Sequence, residues 1–376
     1  MEQKSGTLEN MAINVFGGIY KNKKVLVTGH TGFKGSWLAH WLNGMGAEVH
    51  GISLAPPSEP NHIGLLNGVY NSVIQDITER EKIIEEIKKI NPDIVFHLAA
   101  QPLVRLSYSQ PYETYLSNIM GTVNVLDACR ELPNLKAIVV VTSDKCYENK
   151  EWLWGYRENE PMGGNDPYSS SKGCVELVTA AYKHSFFNPD NYNNTHTVLI
   201  ASARAGNVIG GGDWAMDRIV PDMVKATAIN QPLYIRFPEA TRPWQHVLEP
   251  LSGYLCLGWK LLEGKKEFAE GWNFGPENEN NVKVLELVEK AKNFWPQITC
   301  TVDKNKHPHE ANFLMLDSAK AKKMLEWKPV WNFNETVKHT VNWYKEYYES
   351  GTIATDNHIA IYTADAMTKQ LPWAKA

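Results

Sequence analysis

The 376-residue chain is short of cysteine, of surplus charge and of long apolar runs, and each shortage excludes a class of protein. Its five cysteines are widely spaced without a Cys-x-x-Cys pair, which argues against a disulfide framework or a structural zinc site. A net charge of −4 without any basic block argues against nucleic-acid binding. No apolar run reaches the roughly 18 residues of a membrane span, and residues 1–20 carry no signal-peptide pattern. We therefore expect an ordinary cytoplasmic protein of about two domains.

Strand and helix patterns alternate from residue 24 to about residue 205. The predicted strands are Val25–Thr28, Glu48–Ser53, Ser72–Gln75, Ile94–Leu98, Ala137–Thr142 and Val198–Ala203. The main predicted helices cover residues 34–45, 79–90, 111–131, 167–187 and 247–263. This alternation predicts an α/β fold, a Rossmann-like doubly wound parallel sheet with helices on both faces.

The alternation of strands and helices ends after Ala205, where glycines and proline-containing loops precede shorter, mixed elements. We expect residues 22–210 to form the dinucleotide-binding domain, with residues 246–264 packing back onto it. Residues 211–245 and 265–345 are expected to form a smaller, mixed α/β substrate-binding lobe. Residues 1–21 are interpreted as a loosely held extension and residues 346–376 as a C-terminal tail.

The segment Lys24–Gly35 joins an apolar strand to an amphipathic helix through a turn with three regularly spaced glycines. Gly29 permits the tight turn, Gly32 lets the backbone approach a pyrophosphate, and Gly35 lets the helix lie close to the strand. The free N–H groups at the helix start would then face the anion. The turn predicts a dinucleotide site, although a purely structural strand-to-helix turn has the same spacing.

One residue expected of such a site is missing. Dinucleotide folds usually place an acid at the end of the second strand to bind the adenine ribose. That position falls near Ser53, and no Asp or Glu occurs from Val49 to Pro57. His30 and Lys34 could offer positive charge to phosphates instead. The choice between NAD and NADP stays open, and weak NAD binding is a second possibility.

Asp76 follows the third predicted strand and has two interpretations. It could bind the adenine amino group, or it could cap the helix predicted over residues 79–90.

Tyr168 and Lys172 are four residues apart and therefore share one face of a helix. A nearby ammonium lowers the pKa of a phenol, so the tyrosinate could take a proton from an alcohol during hydride transfer. The strand predicted over residues 137–142 runs into Thr142–Tyr147, which includes Ser143 and Asp144. Ligands bind at the carboxyl edge of open α/β sheets. The pattern predicts a site that oxidises an alcohol.

These residues together resemble the extended short-chain dehydrogenase/reductase family and, within it, the nucleotide-sugar 4,6-dehydratases. The resemblance covers about residues 22–345. The segments that carry it are Thr28–Gly35, Leu98–Gln101, Thr142–Tyr147, Trp154–Pro161, Asp166–Lys172, Arg204–Trp214 and Arg242–Val247.

The resemblance implies a three-step dehydration. Tyr168 would take the proton of the glucose 4-hydroxyl while hydride passes from C4 to NAD, with Ser143 bonded to the 4-oxygen. Lys172 would hold the phenolate and the nicotinamide ribose. Asp144 would protonate the departing 6-hydroxyl after loss of the C5 proton. Hydride would then return to C6, giving a 4-keto-6-deoxy sugar nucleotide.

Lys145 stands where relatives that use dTDP-glucose carry the glutamate that removes the C5 proton. A lysine here is typical of the type that uses CDP-glucose, which is therefore the implied substrate. Lysine acts as a base only when neutral, so its pKa would have to be depressed by Lys172, the cationic nicotinamide and partial burial. Whether Lys145 is the base or an electrostatic aid stays open.

The resemblance also implies the binding residues. Those for NAD are Gly29, His30, Thr31, Gly32, Phe33, Lys34, Gly35, Asp76, Ile77, Leu98, Ala99, Ala100, Gln101, Asn118, Tyr168 and Lys172. Those for the substrate are Asn207, Arg218, Arg242 and His309, although Arg218 could equally be a surface salt-bridge residue. The segment His307–Glu310 is given a role near the nucleotide, so no metal site is expected.

Family members pair through two helices from each subunit, so a homodimer or homotetramer is implied through residues 111–131 and 167–187. The product would feed deoxysugar synthesis for surface polysaccharide such as the lipopolysaccharide O-antigen.

Two alternatives remain. A nucleotide-sugar C4-epimerase uses the same Ser143, Tyr168 and Lys172 but needs no acid such as Asp144 to expel a hydroxyl. A non-catalytic dinucleotide sensor would keep the fold, and such proteins usually lack the tyrosine and the lysine.

Overall fold

Seven parallel strands form the central sheet of the computed structural model, which describes residues 15–277, 281–303 and 314–375. The first six strands are β1 (Lys24–Thr28), β2 (Glu48–Ser53), β3 (Asn71–Ile74), β4 (Ile94–His97), β5 (Ala137–Val141) and β6 (Leu199–Ala205). They are followed by β7 (Val208–Ile209), β8 (Leu233–Ile235), β9 (Thr241–Pro243), β10 (Gln245–His246), β11 (Gly271–Phe274), β12 (Asn281–Lys283) and β13 (Cys300–Val302).

The strand order of the central sheet is β11-β6-β5-β4-β1-β2-β3. The chain therefore moves outward from β1 in one direction and from β4 in the other, and the topological switch point lies between these two strands. Ligands of open α/β sheets bind at such a point, outside the carboxyl ends of the strands. The loops after β1 and β4 carry the glycine turn and residues 98–101 to that place.

Helices flank the sheet. Those before the switch to the smaller lobe are α1 (Phe33–Gly44), α2 (His62–Leu65), α3 (Arg80–Ile90), α4 (Val104–Ser109), α5 (Pro111–Tyr115), α6 (Gly121–Cys129) and α7 (Pro167–Phe186). Those after it are α8 (Ile219–Ala228), α9 (Leu248–Leu262), α10 (Val284–Lys292), α11 (Phe333–Ser350) and α12 (Thr355–Thr368). A π-helical turn, Leu116–Met120, joins α5 to α6, and a second one spans Ala321–Leu325. Short 3₁₀ turns span Val15–Gly18, Asp144–Cys146, Pro189–Asn191, Lys266–Phe268 and Pro372–Ala374.

Alternate residues of β1 enter two separate cores, one on each face of the sheet. Val25 and Val27 belong to a large core with α1, α9 and α11. Leu26 belongs to the other core, with Ile83 of α3 and Val175 of α7. Because strands covered on both faces bury every side chain, β5 reads as the unbroken apolar run Ala-Ile-Val-Val-Val. The doubly wound parallel sheet expected from the sequence is confirmed.

Gly271–Phe274 adds a seventh strand to the six expected from the sequence. This segment was assigned to the smaller lobe, but it pairs in parallel with β6 from Gly271↔Ser202 to Phe274↔Ala205. The physical reason is the return of α9 onto the sheet, which delivers the following chain to the open edge of β6. The remaining domain boundaries stay a prediction.

The short strands outside the main sheet form both parallel and antiparallel pairs. Strand β13 pairs in parallel with β8, and β12 pairs antiparallel with β9. Strand β10 pairs in parallel with β7 and leads directly into α9. These short pairs hold the segment 206–246 against the carboxyl edge of the main sheet.

Residues 15–20 and 346–375 pack on the large core, whereas the sequence suggests a loosely held extension over residues 1–21 and a C-terminal tail over residues 346–376. The Phe16 and Trp373 rings stack with centroids 5.0 Å apart. The Tyr20 hydroxyl donates to the Leu255 carbonyl over 2.6 Å. Helix α12 buries His358 and Tyr362. The energetic reason is aromatic burial, which the polar residues between these positions conceal in the sequence.

In the part of the chain that the structure describes, no helix has the length and apolar character needed to cross a bilayer.

His62 links α1 to α12 through hydrogen bonds from both ring nitrogens. The Ser36 hydroxyl donates to the Phe33 carbonyl and so accepts from His62 Nδ1 over 2.7 Å. The Thr355 hydroxyl accepts from the Trp343 indole and lies 2.8 Å from His62 Nε2, to which it donates when the ring is neutral. Burial lowers the pKa of His62 from 6.5 to about 3.

We expect acid to weaken the fold through His62. The pKa of this side chain is lower in the folded state, so the unfolded state binds the proton first and stability falls as the pH drops from 6.5 towards about 3. In His62→Gln the free energy of unfolding should change less steeply with pH over this window, by up to about 1.4 kcal/mol per pH unit. Urea unfolding at several pH values measures the slope. The exposed His184→Gln is the control, and a His62→Gln slope equal to that of the wild type would contradict the assignment.

Candidate active site

The glycine turn leaves no room for side chains where α1 meets β1 and β4. A Cβ atom on Gly35 would lie 2.0 Å from the Gly29 carbonyl oxygen. Gly29 has φ +78°, and a Cβ there would lie 2.8 Å from the Ala99 nitrogen. A Cβ on Gly32 would be 3.3 Å from the Gly29 carbonyl, which a small shift could relieve. The first and third glycines are therefore required by the packing of the turn itself.

The start of α1 fits a pyrophosphate. Its preceding residue is Gly32, which has no side chain to cap the helix. The first N–H groups of a helix have no partner within the helix, and together with the helix dipole they favour an anion. The Thr28 hydroxyl accepts hydrogen bonds from the Leu98 and Ala99 nitrogens, each over 3.2 Å, and so fixes the two loops side by side. Phe33 extends from this turn towards Gly210.

Two hydroxyls meet where the second strand ends without an acid. The Thr31 and Ser53 hydroxyl oxygens lie 2.6 Å apart, and the Thr31 hydroxyl donates to the Leu54 carbonyl over 2.9 Å. The position expected to hold a carboxylate therefore presents neutral, already bonded groups. This agrees with the absence noted in the sequence.

The expectation that His30 offers positive charge to phosphates is wrong. Its ring covers Gly51, where an added Cβ would lie 2.3 Å away, and its Nε2 contacts the Ser72 hydroxyl over 2.7 Å. Burial lowers the pKa of His30 to about 4, so the ring is neutral near pH 7. Its other nitrogen, Nδ1, is buried without a hydrogen-bond partner among the described residues.

The interpretation of Asp76 as the cap of α3 is also wrong. Its Oδ1 accepts from the Thr78 nitrogen over 2.8 Å, within the turn before α3, and Glu79 precedes the helix without a side-chain cap. Neighbouring Ile77 is buried beside Gly121, and its carbonyl accepts from the Asn124 amide over 2.9 Å. The adenine contact of Asp76 stays a prediction.

The structure brings the residues expected for catalysis together at the carboxyl end of β5. Ser143 follows β5, and its hydroxyl donates to Asp144 Oδ1 over 2.9 Å. Tyr168 is the second residue of α7, and its hydroxyl lies near Ser143. The start of α7 is fixed by Asp166, whose Oδ1 accepts from the Ser169 nitrogen over 2.9 Å. Lys172 follows one turn later and is buried.

The expectation that Tyr168 has a lowered pKa is wrong for the protein itself. Burial is the largest cause that raises the pKa of Tyr168 to about 12; Asp144 acts in the same direction, while Ser143 and the charge of Arg218 oppose the rise. Burial also lowers the pKa of Lys172 to about 8. Desolvation disfavours both charged forms here, which spacing along a helix cannot reveal.

Asp144 is suited to act as an acid. Burial raises its pKa above the ordinary value, while Lys145, Ser143 and Lys34 oppose the rise. Half-buried Lys145 donates its backbone N–H to the Ser143 hydroxyl over 3.2 Å. Its side-chain charge is the largest of these opposing effects, which places the ammonium near the Asp144 carboxylate.

Lys34 joins this group from the glycine turn. Burial, together with the charges of Arg218 and Lys172, lowers the pKa of Lys34 to about 8 against an opposing effect of Asp144. Its ammonium lies 3.5 Å from the Tyr254 hydroxyl. The contact of Lys34 with a phosphate stays a prediction.

Asn118 connects the loop after β4 to the helix that carries Tyr168. Its Oδ1 accepts from the Gln101 nitrogen over 2.7 Å, and its Nδ2 donates to the Ser171 hydroxyl over 2.8 Å. It lies in the π-helical turn between α5 and α6. Such turns often occur at functional sites.

Sequence reasoning missed three buried polar residues behind the site: His97, Glu176 and Arg204. The His97 ring bridges the Thr28 and Thr122 hydroxyls over 2.7 and 2.9 Å, and burial lowers its pKa to about 3. Glu176 is ion-paired with Arg204 over 2.8 Å. The spacing of Glu176 four residues after Lys172 was a usable signal, whereas nothing in the spacing marks Arg204 or His97.

The residues expected to bind the substrate differ in how closely they approach the catalytic group. Arg218 pairs with Asp213 over 3.0 Å, as its salt-bridge interpretation predicted, yet its charge also acts on Tyr168 and Lys34. Asn207 follows Gly206, where an added Cβ would lie 2.9 Å from the Asp144 carboxylate and 3.6 Å from the Pro243 ring.

Arg242 lies on β9 directly before Pro243, and its guanidinium donates to the Thr241 carbonyl over 2.9 Å. His309 and the segment 307–310 lie outside the described residues. Within the described ranges, no group of three or more histidine, cysteine or acidic side chains could hold a metal ion.

The fold and this arrangement of Ser143, Tyr168 and Lys172 beside a glycine turn define an extended short-chain dehydrogenase/reductase. A family model described as GDP-mannose 4,6 dehydratase matches residues 26–340. The chain therefore belongs to the GDP-mannose 4,6-dehydratase family.

Known proteins similar to this chain include both dehydratases and epimerases. A CDP-glucose 4,6-dehydratase from Salmonella typhimurium is 53% identical over 87% of this chain and 91% of its own. An epimerase structure from Methanothermobacter thermautotrophicus is similar with a TM-score of 0.75 at 23% identity, covering 90% and 96% of the two chains. A dTDP-glucose 4,6-dehydratase from Bacillus anthracis in complex with NAD is similar with a TM-score of 0.69 at 23% identity, covering 87% and 97%.

We expect Gly35→Ala to damage the turn, because its Cβ would lie 2.0 Å from a backbone oxygen. The clash should lower the free energy of unfolding by about 1–3 kcal/mol and weaken NAD binding at least about tenfold through displacement of the anion-binding N–H groups. Urea unfolding and calorimetric titration with NAD measure the two effects. The control is Gly44→Ala at the end of the same helix, where no described atom lies within 4 Å of the new Cβ. Equal behaviour of the two variants would contradict this account of the turn.

Proposed function

We propose that this chain is an NAD-dependent hydro-lyase that converts CDP-glucose to CDP-4-keto-6-deoxyglucose and water. The observation that carries the proposal is a buried, protonatable Asp144 hydrogen-bonded to Ser143 and adjoining Tyr168, in a chain 53% identical to a CDP-glucose 4,6-dehydratase. The acid supplies what an elimination of water needs beyond alcohol oxidation.

Tyr168 and Ser143 act on the sugar 4-hydroxyl. Tyr168 accepts its proton and Ser143 donates a hydrogen bond to the oxygen that becomes the ketone. Lys172 is proposed to stabilise the phenolate, because the charge of a nearby ammonium opposes the burial that disfavours a phenolate. When bound, NAD supplies a hydride acceptor with a positively charged ring and later returns the hydride. The glycine turn, the start of α1 and residues 98–101 provide its binding surface.

Asp144 and Lys145 perform the elimination. Once C4 is a ketone, the C5 hydrogen becomes acidic and water can leave across C5–C6. Burial raises the pKa of Asp144, which suits this carboxyl to deliver a proton to the departing 6-hydroxyl. Lys145, whose side chain lies near that carboxylate, is proposed either to take the C5 proton as a neutral amine or, as an ammonium, to stabilise the enolate that results.

Arg218, Arg242 and Asn207 are proposed to bind the diphosphate and nucleotide. Arginine suits phosphate because its planar guanidinium donates two parallel hydrogen bonds. Arg218 is already oriented by Asp213 and acts electrostatically on Tyr168, which supports a place beside the sugar.

The C4-epimerase alternative has less support. Several solved epimerases share the fold, but at the low identities involved that likeness concerns architecture alone. Epimerisation leaves the 6-hydroxyl in place, and a buried acid such as Asp144 would then have no leaving group to protonate.

Assembly and location are proposed from surface features. Exposed apolar side chains on α5, the π-helical turn and α7, namely Tyr112, Met120 and Leu177, favour a homodimer or homotetramer built through these helices. A reducing compartment such as the cytoplasm agrees with the five free thiols. A role in deoxysugar synthesis follows from the proposed product.

We expect the purified protein to remove one water from CDP-glucose when NAD is present. Mass spectrometry of the nucleotide sugar measures the loss. Tyr168→Phe should lower the rate at least about a hundredfold, because the general base is gone, while Tyr234→Phe on the exposed face of β8 should leave it unchanged. Water loss without added NAD would keep the function but overturn the expectation of weak NAD binding. An unchanged mass with a changed configuration at C4 would instead establish an epimerase.

The same assay examines Lys145. Lys145→Ala should accumulate oxidised sugar without loss of water, seen as a slow rise in absorbance of the reduced cofactor. Wild-type turnover in this variant would remove Lys145 from the elimination step.

A further inference from the structure

Glu176 continues the face of α7 that carries Tyr168 and Lys172. It lies four residues after Lys172 and eight after Tyr168, which places the three side chains along one side of the helix. All three are buried, and Glu176 is only 5% exposed. A buried carboxylate is costly unless its oxygens are fully hydrogen-bonded.

Both carboxylate oxygens of Glu176 are occupied by donors from the neighbouring strands. The Thr142 hydroxyl, directly after β5, donates to Oε1. From β6, the Ser202 hydroxyl donates to Oε2 over 2.6 Å and the Arg204 guanidinium over 2.8 Å. This one side chain therefore fastens α7 to β5 and β6 immediately below the site.

Arg204 extends the connection to β11 and to the loop after Cys146. Its guanidinium donates to the Tyr147 hydroxyl over 2.6 Å and to the Glu158 carbonyl over 3.0 Å. The Tyr147 hydroxyl in turn donates to the Asn273 amide oxygen on β11 over 2.8 Å. Any rotation of α7 about its axis would break several of these charge-assisted bonds.

The groups facing Lys172 differ in charge. Among the neighbouring elements, Cys146 and His97 are neutral near pH 7, because burial raises the pKa of the thiol and lowers that of the imidazole to about 3. Lys34 of α1 is cationic and repels Lys172. The carboxylate of Glu176 exerts the largest charge effect on Lys172 and opposes the burial that disfavours its ammonium.

We propose that Glu176 is the positioning residue of this site, which seats α7 on the sheet and keeps Lys172 in its ammonium form beside Tyr168. The hydrogen bond between Glu176 and Thr142 holds Tyr168 at a fixed distance from Ser143, because Ser143 follows directly after Thr142. The effect on the charge of Lys172 depends on the negative charge of the Glu176 carboxylate, and Arg204 holds that carboxylate in place. The consequence for turnover depends on the proposed function, whereas the charge state of Lys172 does not.

The charge state of Lys172 can be titrated without substrate. Brief labelling of amines with acetic anhydride at a series of pH values, read by peptide mass spectrometry, gives the midpoint at which Lys172 becomes reactive. The wild type should titrate at about 8. Glu176→Gln should lower the midpoint by about one pH unit, because the countercharge is lost. Glu176→Asp keeps the charge and should stay within about 0.3 unit of the wild type.

Two further variants keep the test decisive. Glu176→Gln combined with Arg204→Met removes the unpaired guanidinium that could prevent folding, and the Lys172 midpoint should still fall below that of the wild type. Glu85→Gln on the exposed surface of α3 is the matched control and should change nothing. A purely structural Glu176 would destabilise the protein and leave the midpoint unchanged, which would overturn the proposal.

Activity separates this inference from the proposed function. The alkaline limb of the rate of water loss should move to lower pH in Glu176→Gln by the same shift as the labelling midpoint. A labelling shift in a protein that never dehydrates CDP-glucose would keep the role of Glu176 and discard the dehydratase. If Glu176→Gln removes water from CDP-glucose but neither its alkaline limb nor its labelling midpoint moves, the dehydratase is kept and the role of Glu176 is discarded.

Discussion

The buried ion pair of Glu176 and Arg204 is the interaction on which the geometry of the site depends. It joins α7 to β5 and β6, and through Tyr147 it reaches β11. Removing one member of a buried pair typically costs about 3–5 kcal/mol, because the other charge is left without a partner. The helix that carries Tyr168 and Lys172 is thus held against the strand end that presents Ser143 and Asp144 by polar contacts with fixed geometry, which apolar packing alone would not supply.

A second constraint acts at the switch point of the sheet. The contacts of Gly29 and Gly35 with backbone atoms bring α1, β1 and β4 close enough for the start of the helix to bind an anion. The Thr28 hydroxyl joins the same loops and contacts the His97 ring. The other nitrogen of that ring contacts Thr122 of α6, which directly follows the π-helical turn bearing Asn118. The proposed cofactor and sugar sites therefore share one polar framework across the carboxyl edge.

Much of this could be predicted from the sequence, for identifiable reasons. The run Ala137–Val141 and the turn Thr28–Gly35 are governed by local chemistry, and both were located correctly. The spacing of Tyr168 and Lys172 placed them on one helix face but could not show that burial raises the pKa of the phenol. The seventh strand, Gly271–Phe274, and the burial of Phe16 against Trp373 depend on partners more than 60 residues away by chain position, which local patterns do not encode.

The central claim is that one site oxidises C4, eliminates water and reduces C6 within a single turnover. Conversion of CDP-glucose carrying deuterium at C4 tests it most directly, with the position of the label read by NMR and mass spectrometry. The account predicts a product that has lost one water and carries the deuterium at C6, because the hydride taken from C4 is returned there. Deuterium retained at C4, or lost to solvent, would contradict it.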